Sequence, residues 1–338
     1  MIYRFDQIRT LNLEGTAVCN AKCPMCTRLM IPGGPNRLES MPSSKMAGIL
    51  SSEIMPQIQT LLWCGNYGDP CTRVDLPILI RIAEDNLRSQ DRHRIVVETN
   101  GGMYRPKYWH ALAKSSKNLV VVFNIDGLRD TLGKYRVNVD YDTVIDNASA
   151  YIKAGGYAVW AFIPFAHNEH QVEEARRLSK KYGFKEFQVR VTDRFLRNNG
   201  TRLLKWGDLE PATAPEYQHR PNLTADQFLE EMRTCKVSCR ASCHKSIYID
   251  HSGLVFPCCF AASVYEGKSD LGTELVREKL LSLPEAEYPS ILLRPLREIV
   301  EGEFFRWFAS TFNDPPNRPT VCSAVCGIGN FKTVRSDQ

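Results

Sequence analysis

From Leu11 to Asp193 the chain alternates short β-rich runs with amphipathic helical stretches, and six such βα units can be counted. Repeated βα units bury their strands as a parallel sheet with helices packed against it, so the pattern specifies an α/β fold. The predicted strands are Leu11–Val18, Leu61–Asn66, Arg94–Asn100, Leu119–Asp126, Ala158–Phe165 and Glu186–Asp193. Between them lie helices such as Asp75–Arg88, with Leu76, Leu79, Ile80, Ala83 and Leu87 at helical spacing, and Asn168–Tyr182, with Val172, Ala175 and Leu178 on one face. Gly155-Gly156 and Gly183 supply stops before the fifth and sixth strands. The architecture expected is a partial (βα)6 TIM-like barrel over residues 1–200, a linker over 201–231 and a small α+β domain over 232–338. The polar run Glu210-Pro-Ala-Thr-Ala-Pro215 marks the linker. Beyond it, Ser246–Asp250 and Leu254–Phe256 read as a hairpin turning at Gly253, and Glu298–Phe312 as a helix.

Neither a GxGxxG nor a P-loop opens any of these helices, which removes the two common phosphate-cradling readings. A net charge of +5 over 338 residues is too mild to name a nucleic-acid partner. The longest apolar stretch, Leu119–Phe123, is far short of the ~20 residues that span a bilayer, and the N-terminus lacks a signal-peptide core. The expected address is the cytoplasm, with no membrane association.

Twelve cysteines are unusual for such a chain, because a reducing compartment gives no use for a disulfide framework, and metal ligation becomes the leading reading. Cys19, Cys23 and Cys26 form one group; Cys235, Cys239, Cys243, Cys258 and Cys259 a second; Cys322 and Cys326 a third; Cys64 and Cys71 stand apart and read as small buried hydrophobes. The first group, Cys19-Asn-Ala-Lys-Cys23-Pro-Met-Cys26, puts three thiols on one loop after the first strand, where α/β barrels build active sites. A structural zinc site is closed by four ligands, and no His or Cys follows within the next dozen residues to close this one. An iron-sulfur cluster held by three thiolates keeps one iron open.

This C-x3-C-x2-C spacing resembles the signature of the radical SAM superfamily, and Glu14, Thr16 and Asn20 stand where that family often has Glu, Thr and Asn. The resemblance implies that Cys19, Cys23 and Cys26 hold a 4Fe–4S cluster whose open iron is chelated by S-adenosylmethionine (SAM, AdoMet). One electron then cleaves SAM to a 5′-deoxyadenosyl radical, which abstracts a substrate hydrogen. Met25 occupies a position usually aromatic and is assigned the adenine edge through its backbone. Gly65-Asn-Tyr67-Gly68-Asp69-Pro70, at the end of the second strand, resembles the family's Gly-Gly-Glu region, with Asp69 standing in for Glu at the SAM amino group. Asn100 lies in a Thr-Asn-Gly segment similar to one near the SAM ribose. Asn124-Ile-Asp-Gly127 is similar to a Ser-x-Asp-Gly segment, Arg136 fits an arginine that pairs with the SAM carboxylate, and Val191 is a candidate adenine contact.

Cys243, nine residues, Gly253, four residues, Cys258 resembles the element that opens SPASM and twitch domains; Cys239 fits equally well. The resemblance implies one auxiliary 4Fe–4S cluster on Cys258, Cys322, Cys326 and one of Cys239 and Cys243, with Cys259 pointing away from Cys258 if both lie on a strand. It also implies an electron donor such as flavodoxin or ferredoxin and a peptide or small-molecule substrate. A phosphorylated or nucleic-acid substrate gripped by Arg88, Arg92, Arg94, Arg190, Arg194, Arg197 and Arg202 is the alternative enzymatic reading. A non-catalytic iron-sulfur or zinc protein is the alternative from another class.

Overall fold

The computed structural model describes residues 2–30, 39–88, 93–192, 194–195, 203–218, 224–264 and 273–328. The six predicted strands are present as β1 (Thr10–Leu13), β2 (Thr60–Trp63), β3 (Arg94–Thr99), β4 (Leu119–Asn124), β5 (Tyr157–Phe162) and β6 (Glu186–Val189). Helices α1 (Ser43–Leu50), α2 (Leu76–Asn86), α3 (Pro106–Ala113), α4 (Leu132–Tyr135), α5 (Tyr141–Lys153) and α6 (Val172–Tyr182) connect them. The strands pair in parallel in sequence order, Thr10 opposite Thr60, Leu61 opposite Ile95, Val97 opposite Val121, Phe123 opposite Trp160 and Trp160 opposite Phe187.

The sheet has two different faces. One, carrying Leu11, Leu61, Trp63, Ile95, Val97, Val121, Phe123, Trp160 and Phe162, is buried in the main core with the apolar stripes of the helices, such as Leu76, Leu79 and Ile80 of α2. Burial of this kind contributes about 1.5–3 kcal/mol per large side chain. The Trp160 indole N–H is satisfied there by the Ile125 carbonyl at 2.9 Å. The other face carries a small separate cluster, Val96, Val120, Val122, Val159 and Ala161, below a set of half-buried polar residues.

Further strands follow: β7 (Lys236–Val237), β8 (Ser246–Ile249), β9 (Val255–Phe256) and β10 (Gly327–Ile328), with helices α7 (Ala225–Thr234), α8 (Arg240–His244), α9 (Glu274–Ser282), α10 (Leu296–Val300), α11 (Glu303–Ser310) and α12 (Thr320–Cys326). The expected hairpin forms, and it does not stand apart from the sheet. Its first strand, β8, runs parallel to β1 with Leu11 opposite Ile247, so the strand order is β6-β5-β4-β3-β2-β1-β8-β9. β9 returns antiparallel, Tyr248 opposite Phe256.

Several predicted boundaries are corrected. The strands expected to reach Val18, Asn66, Asp126 and Phe165 end at Leu13, Trp63, Asn124 and Phe162, because the next residues leave the ladder to build the site; Asp193, the expected end of the sixth strand, lies outside the described residues. Asn168 stands at the expected helix start, its side chain accepting from Phe165 N and donating to the Asp126 and Ile163 carbonyls, but the first turn, Glu169–Gln171, is 3-10 rather than α. Helix α6 begins at Val172 and ends at Gly183, whose φ of 88° is the expected left-handed stop. The single helix expected over Glu298–Phe312 is split at Gly302, where the backbone is extended. Cys258 and Cys259 lie in the turn after β9 rather than on a strand, so the alternation argument for their opposite directions does not apply. Among the described residues no helix is long and apolar enough to cross a membrane.

Candidate active site

The strand ends at one edge of the sheet converge on the loop that carries Cys19, Cys23 and Cys26. Glu14, one residue past β1, is buried and anchors the neighbouring loop. Its Oε1 accepts from the backbone N–H groups of Tyr67, at 2.7 Å, and Gly68, at 3.1 Å, while its other oxygen accepts from the Tyr248 hydroxyl of β8. The first-strand carboxylate therefore ties β2 and the hairpin together. Gly65 and Gly68 make the approach possible, since a Cβ on Gly68 would lie 2.0 Å from the Thr16 carbonyl oxygen and one on Gly65 would lie 2.0 Å from the Gly68 carbonyl oxygen. Gly68→Ala is expected to destabilise the fold by about 1–3 kcal/mol, because backbone cannot yield as a side chain can. Urea unfolding measures it, and a wild-type midpoint would contradict the close approach.

Burial pushes the Glu14 carboxyl up to about 8, against the opposing pull of its three donors. The native chain thus holds a proton that the unfolded chain releases near 4.5. The stability that proton contributes is complete below the unfolded value and lost progressively as pH rises toward the folded one, at about 1.4 kcal/mol per pH unit. Glu14→Gln should flatten this slope by up to about 3 kcal/mol between roughly pH 5.5 and 7.5 in urea unfolding; parallel slopes would contradict it.

Asp69 is buried, and both oxygens of its carboxylate accept hydrogen bonds. Oδ1 accepts from Cys71 N and Thr99 Oγ1 at 2.9 and 2.8 Å, and Oδ2 from Asn100 N at 2.7 Å, so its side chain joins the ends of β2 and β3. Tyr67 presents its backbone to Glu14 and packs its ring edge-on to His251 of the hairpin, with centroids 5.8 Å apart. Met25 is buried in the core, and its carbonyl accepts from Arg194. Val191 is half-buried, just past β6.

Asn100 donates to Asn20 Oδ1 at 2.9 Å and to Cys19 Sγ at 3.6 Å. Arg136, the C-cap of α4, donates through Nε to Asp126 at 2.6 Å and through Nη1 to Cys23 Sγ at 3.7 Å. Asp126 follows β4 and also accepts from Ile163 N at 2.7 Å. Arg28 braces the loop from within by donating to the Cys19 and Ala21 carbonyls. On the sheet face that carries Val122 and Ala161, Arg190 pairs with Glu98 at 2.9 Å and reaches Gln188 at 3.1 Å and Asn124 at 3.5 Å. Asn124 in turn donates to the Thr99 carbonyl. Asp126, Glu98 and Arg28 have no assigned role in the sequence, where spacing does not separate them from ordinary surface charges.

Burial pushes the Cys19 thiol up to about 12 and raises Cys23, so both hold their protons until a metal displaces them. Among the described residues no group of three or more His, Cys, Asp or Glu side chains is placed to hold a single metal ion. A 4Fe–4S cluster makes a different demand, since each thiolate binds a different iron and the sulfurs need not meet at a point. Three thiols on one loop, with N–H donors directed at two of the sulfurs, fit that demand.

The C-terminal thiols are brought together by pairing of β10 with β7, which sets Ser238 N on the Cys326 carbonyl beside Cys239. Cys322 and Cys326 lie four residues apart on α12, on one face. Burial raises Cys258, and Cys259, Cys322 and Cys239 add to it; burial likewise raises Cys322, with Cys239 and Cys326 as its neighbouring thiols. Cys243 is exposed, with Sγ 3.8 Å from Ser238 Oγ.

Residues 13–179 match the family model of the radical SAM superfamily. The chain belongs to the radical SAM superfamily. This radical SAM enzyme has the fold of Streptococcus suis SuiB bound to precursor peptide SuiA, at 17% identity and a TM-score of 0.55, covering 93% of this chain and 76% of that one. SuiB bound to S-adenosylmethionine matches with a TM-score of 0.52 at 18% identity, over 93% of this chain and 77% of that one. Native anSMEcpe with bound AdoMet matches with a TM-score of 0.54 at 12% identity, over 94% of this chain and 88% of that one. No curated protein matches the sequence. Superfamily membership implies a 4Fe–4S cluster and SAM.

Proposed function

We propose that this radical SAM enzyme abstracts hydrogen from an unreactive C–H bond of a peptide or protein substrate, with Cys19, Cys23 and Cys26 as the cluster ligands. The observation that carries the reading is the three-thiol loop at the end of β1, braced by Arg28 and met by Asn100 and Arg136 from the ends of β3 and α4. When bound, the cluster supplies the electron that cleaves SAM to a hydrogen-abstracting 5′-deoxyadenosyl radical. The chain's own residues position and shield: Asp69 fixes the ends of β2 and β3, Tyr67 and Gly68 fix the SAM-facing loop on Glu14, and Asn124 and Val191 border the reaction space.

A peptide is favoured over a polyanion by the polar residues on the Val122 and Ala161 face of the sheet, where Glu98 neutralises Arg190 and Gln188 and Asn124 add neutral amides. Such a surface matches amide groups, whereas a phosphorylated substrate would meet the Glu98 charge. Arg194 is engaged on the Met25 carbonyl, and Arg92, Arg197 and Arg202 of the alternative basic set lie outside the described residues. SuiB bound to precursor peptide SuiA and anSMEcpe bound to the Cp18Cys peptide share the fold and support the same choice.

An auxiliary 4Fe–4S cluster on Cys239, Cys258, Cys322 and Cys326 completes the reading, in a C-terminal SPASM or twitch-like unit. Mutual proximity of these four favours Cys239 over the exposed Cys243. Cys239, Cys258, Cys322 and Cys326 would hold that group, which would supply an electron acceptor for the substrate or help position it, with a cytoplasmic flavodoxin or ferredoxin as the external reductant. The test is incubation of the anaerobically reconstituted enzyme with SAM and deuterated candidate peptides. Deuterium in 5′-deoxyadenosine is expected from a peptide; transfer only from nucleotide substrates, with turnover falling steeply in salt, would overturn the peptide reading.

A further inference from the structure

Asn100 and Arg136 do more in this fold than face a cofactor. Asn100 is held on three sides: its backbone N–H by Asp69, its Oδ1 by Gly102 N at 2.8 Å, and its amide by Asn20 at 2.9 Å. That clamp leaves Nδ2 directed at Cys19 Sγ, 3.6 Å away. Arg136 is fixed as firmly, since Asp126 takes its Nε at 2.6 Å from a side chain with no exposure, and Nη1 falls 3.7 Å from Cys23 Sγ. Two rigid donors, one neutral and one cationic, therefore address two different sulfurs of one loop. Among the described residues no comparable side-chain donor reaches Cys26.

We infer that Asn100 and Arg136 set the reduction potential of the N-terminal cluster by hydrogen-bonding the thiolates of Cys19 and Cys23. The inference rests on the proposed ligand set. Reduction adds negative charge that spreads onto the ligating sulfurs, so N–H donors and a nearby cation stabilise the reduced form and raise the potential. The effect is enlarged by burial, where a fixed dipole is poorly screened. Asp126 partly offsets the guanidinium charge but holds it in place, which makes it a positioning residue.

The test is an EPR-monitored redox titration of the reconstituted full chain, following the component that Cys23→Ala removes. Arg136→Gln should move its midpoint to a more negative potential, because the cation is lost. Asn100→Asp should do the same, because a donor is replaced by a carboxylate. Arg136→Lys, which keeps charge and donor, should restore the midpoint most of the way. A purely structural role would change cluster content without moving the potential in one direction. Should Arg136→Gln fail to fold with Asp126 unpaired, Asn100→Asp tests the same claim from a separate strand. Midpoints equal to wild type in folded, cluster-loaded Asn100→Asp and Arg136→Gln overturn the inference. Absence of any component sensitive to Cys23→Ala overturns the ligand set first, and the tuning with it.

Discussion

Cys23→Ala is expected to reduce reductive SAM cleavage to background while the folded chain survives. Cys23 is buried with Arg136 at its sulfur, and its loop is braced independently by Arg28 on the Cys19 and Ala21 carbonyls and by the Lys22 N–H on the Val137 carbonyl. Removing one of three thiolates leaves two irons without a protein ligand, which cuts cluster retention rather than the packing of the sheet. Chromatographic assay of 5′-deoxyadenosine after dithionite reduction, alongside circular dichroism, separates the two effects. Cleavage at the wild-type rate would remove Cys23 from the ligand set.

Asp126→Ala should be the most destabilising polar substitution in the site, at about 3–5 kcal/mol. The side chain is fully buried and serves two partners, Arg136 through Oδ2 and Ile163 N through Oδ1. Truncation leaves a guanidinium that is 16% exposed without its counterion and a backbone donor without its acceptor. Asp126→Asn keeps an acceptor for Ile163 N and should cost less than the alanine variant. Urea unfolding of the cluster-free, reduced chain reads both by linear extrapolation. A loss below about 1 kcal/mol for Asp126→Ala would mean that solvent or another carboxylate replaces it.

The fold is legible in the sequence where periodicity carries the information. Leu119–Phe123 and the stripe Leu76, Leu79, Ile80, Ala83 specify a buried strand and a packed helix, and six repeats of that alternation specify parallel order. Periodicity names no distant partner, so the pairing of Thr10–Leu13 with Ser246–Ile249 was not legible. The strand ends were overextended for a related reason: Glu14, Gly65 and Ile125 have strand-like neighbours, and only the close approach of loops shows why the chain turns there.

Within the site, residue types were legible before their partners were. Asn100 and Arg136 were assigned to SAM, yet the side chains also reach Cys19 and Cys23. Asp69 resembles a residue at the SAM amino group, and its carboxylate also accepts from Thr99, Asn100 and Cys71. Arg190 and Arg194 belong by sequence to the basic set of the alternative, nucleic-acid reading, whereas one is neutralised by Glu98 and the other donates to the Met25 carbonyl. Cys239 and Cys243 are equivalent by spacing to Gly253; they differ because Cys239 sits at the N-cap of α8, beside Cys326, and Cys243 faces out.

The central claim is that the loop from Cys19 to Cys26 holds a cluster with one iron left for SAM. Electron-nuclear double resonance of the reduced, reconstituted chain, with isotope-labelled amino and carboxylate groups on SAM, addresses it directly. The account predicts hyperfine coupling from both labelled groups to the cluster, lost in Cys23→Ala. A cluster that shows no coupling because a fourth side chain fills its last iron, or zinc bound by the same thiols, would contradict it.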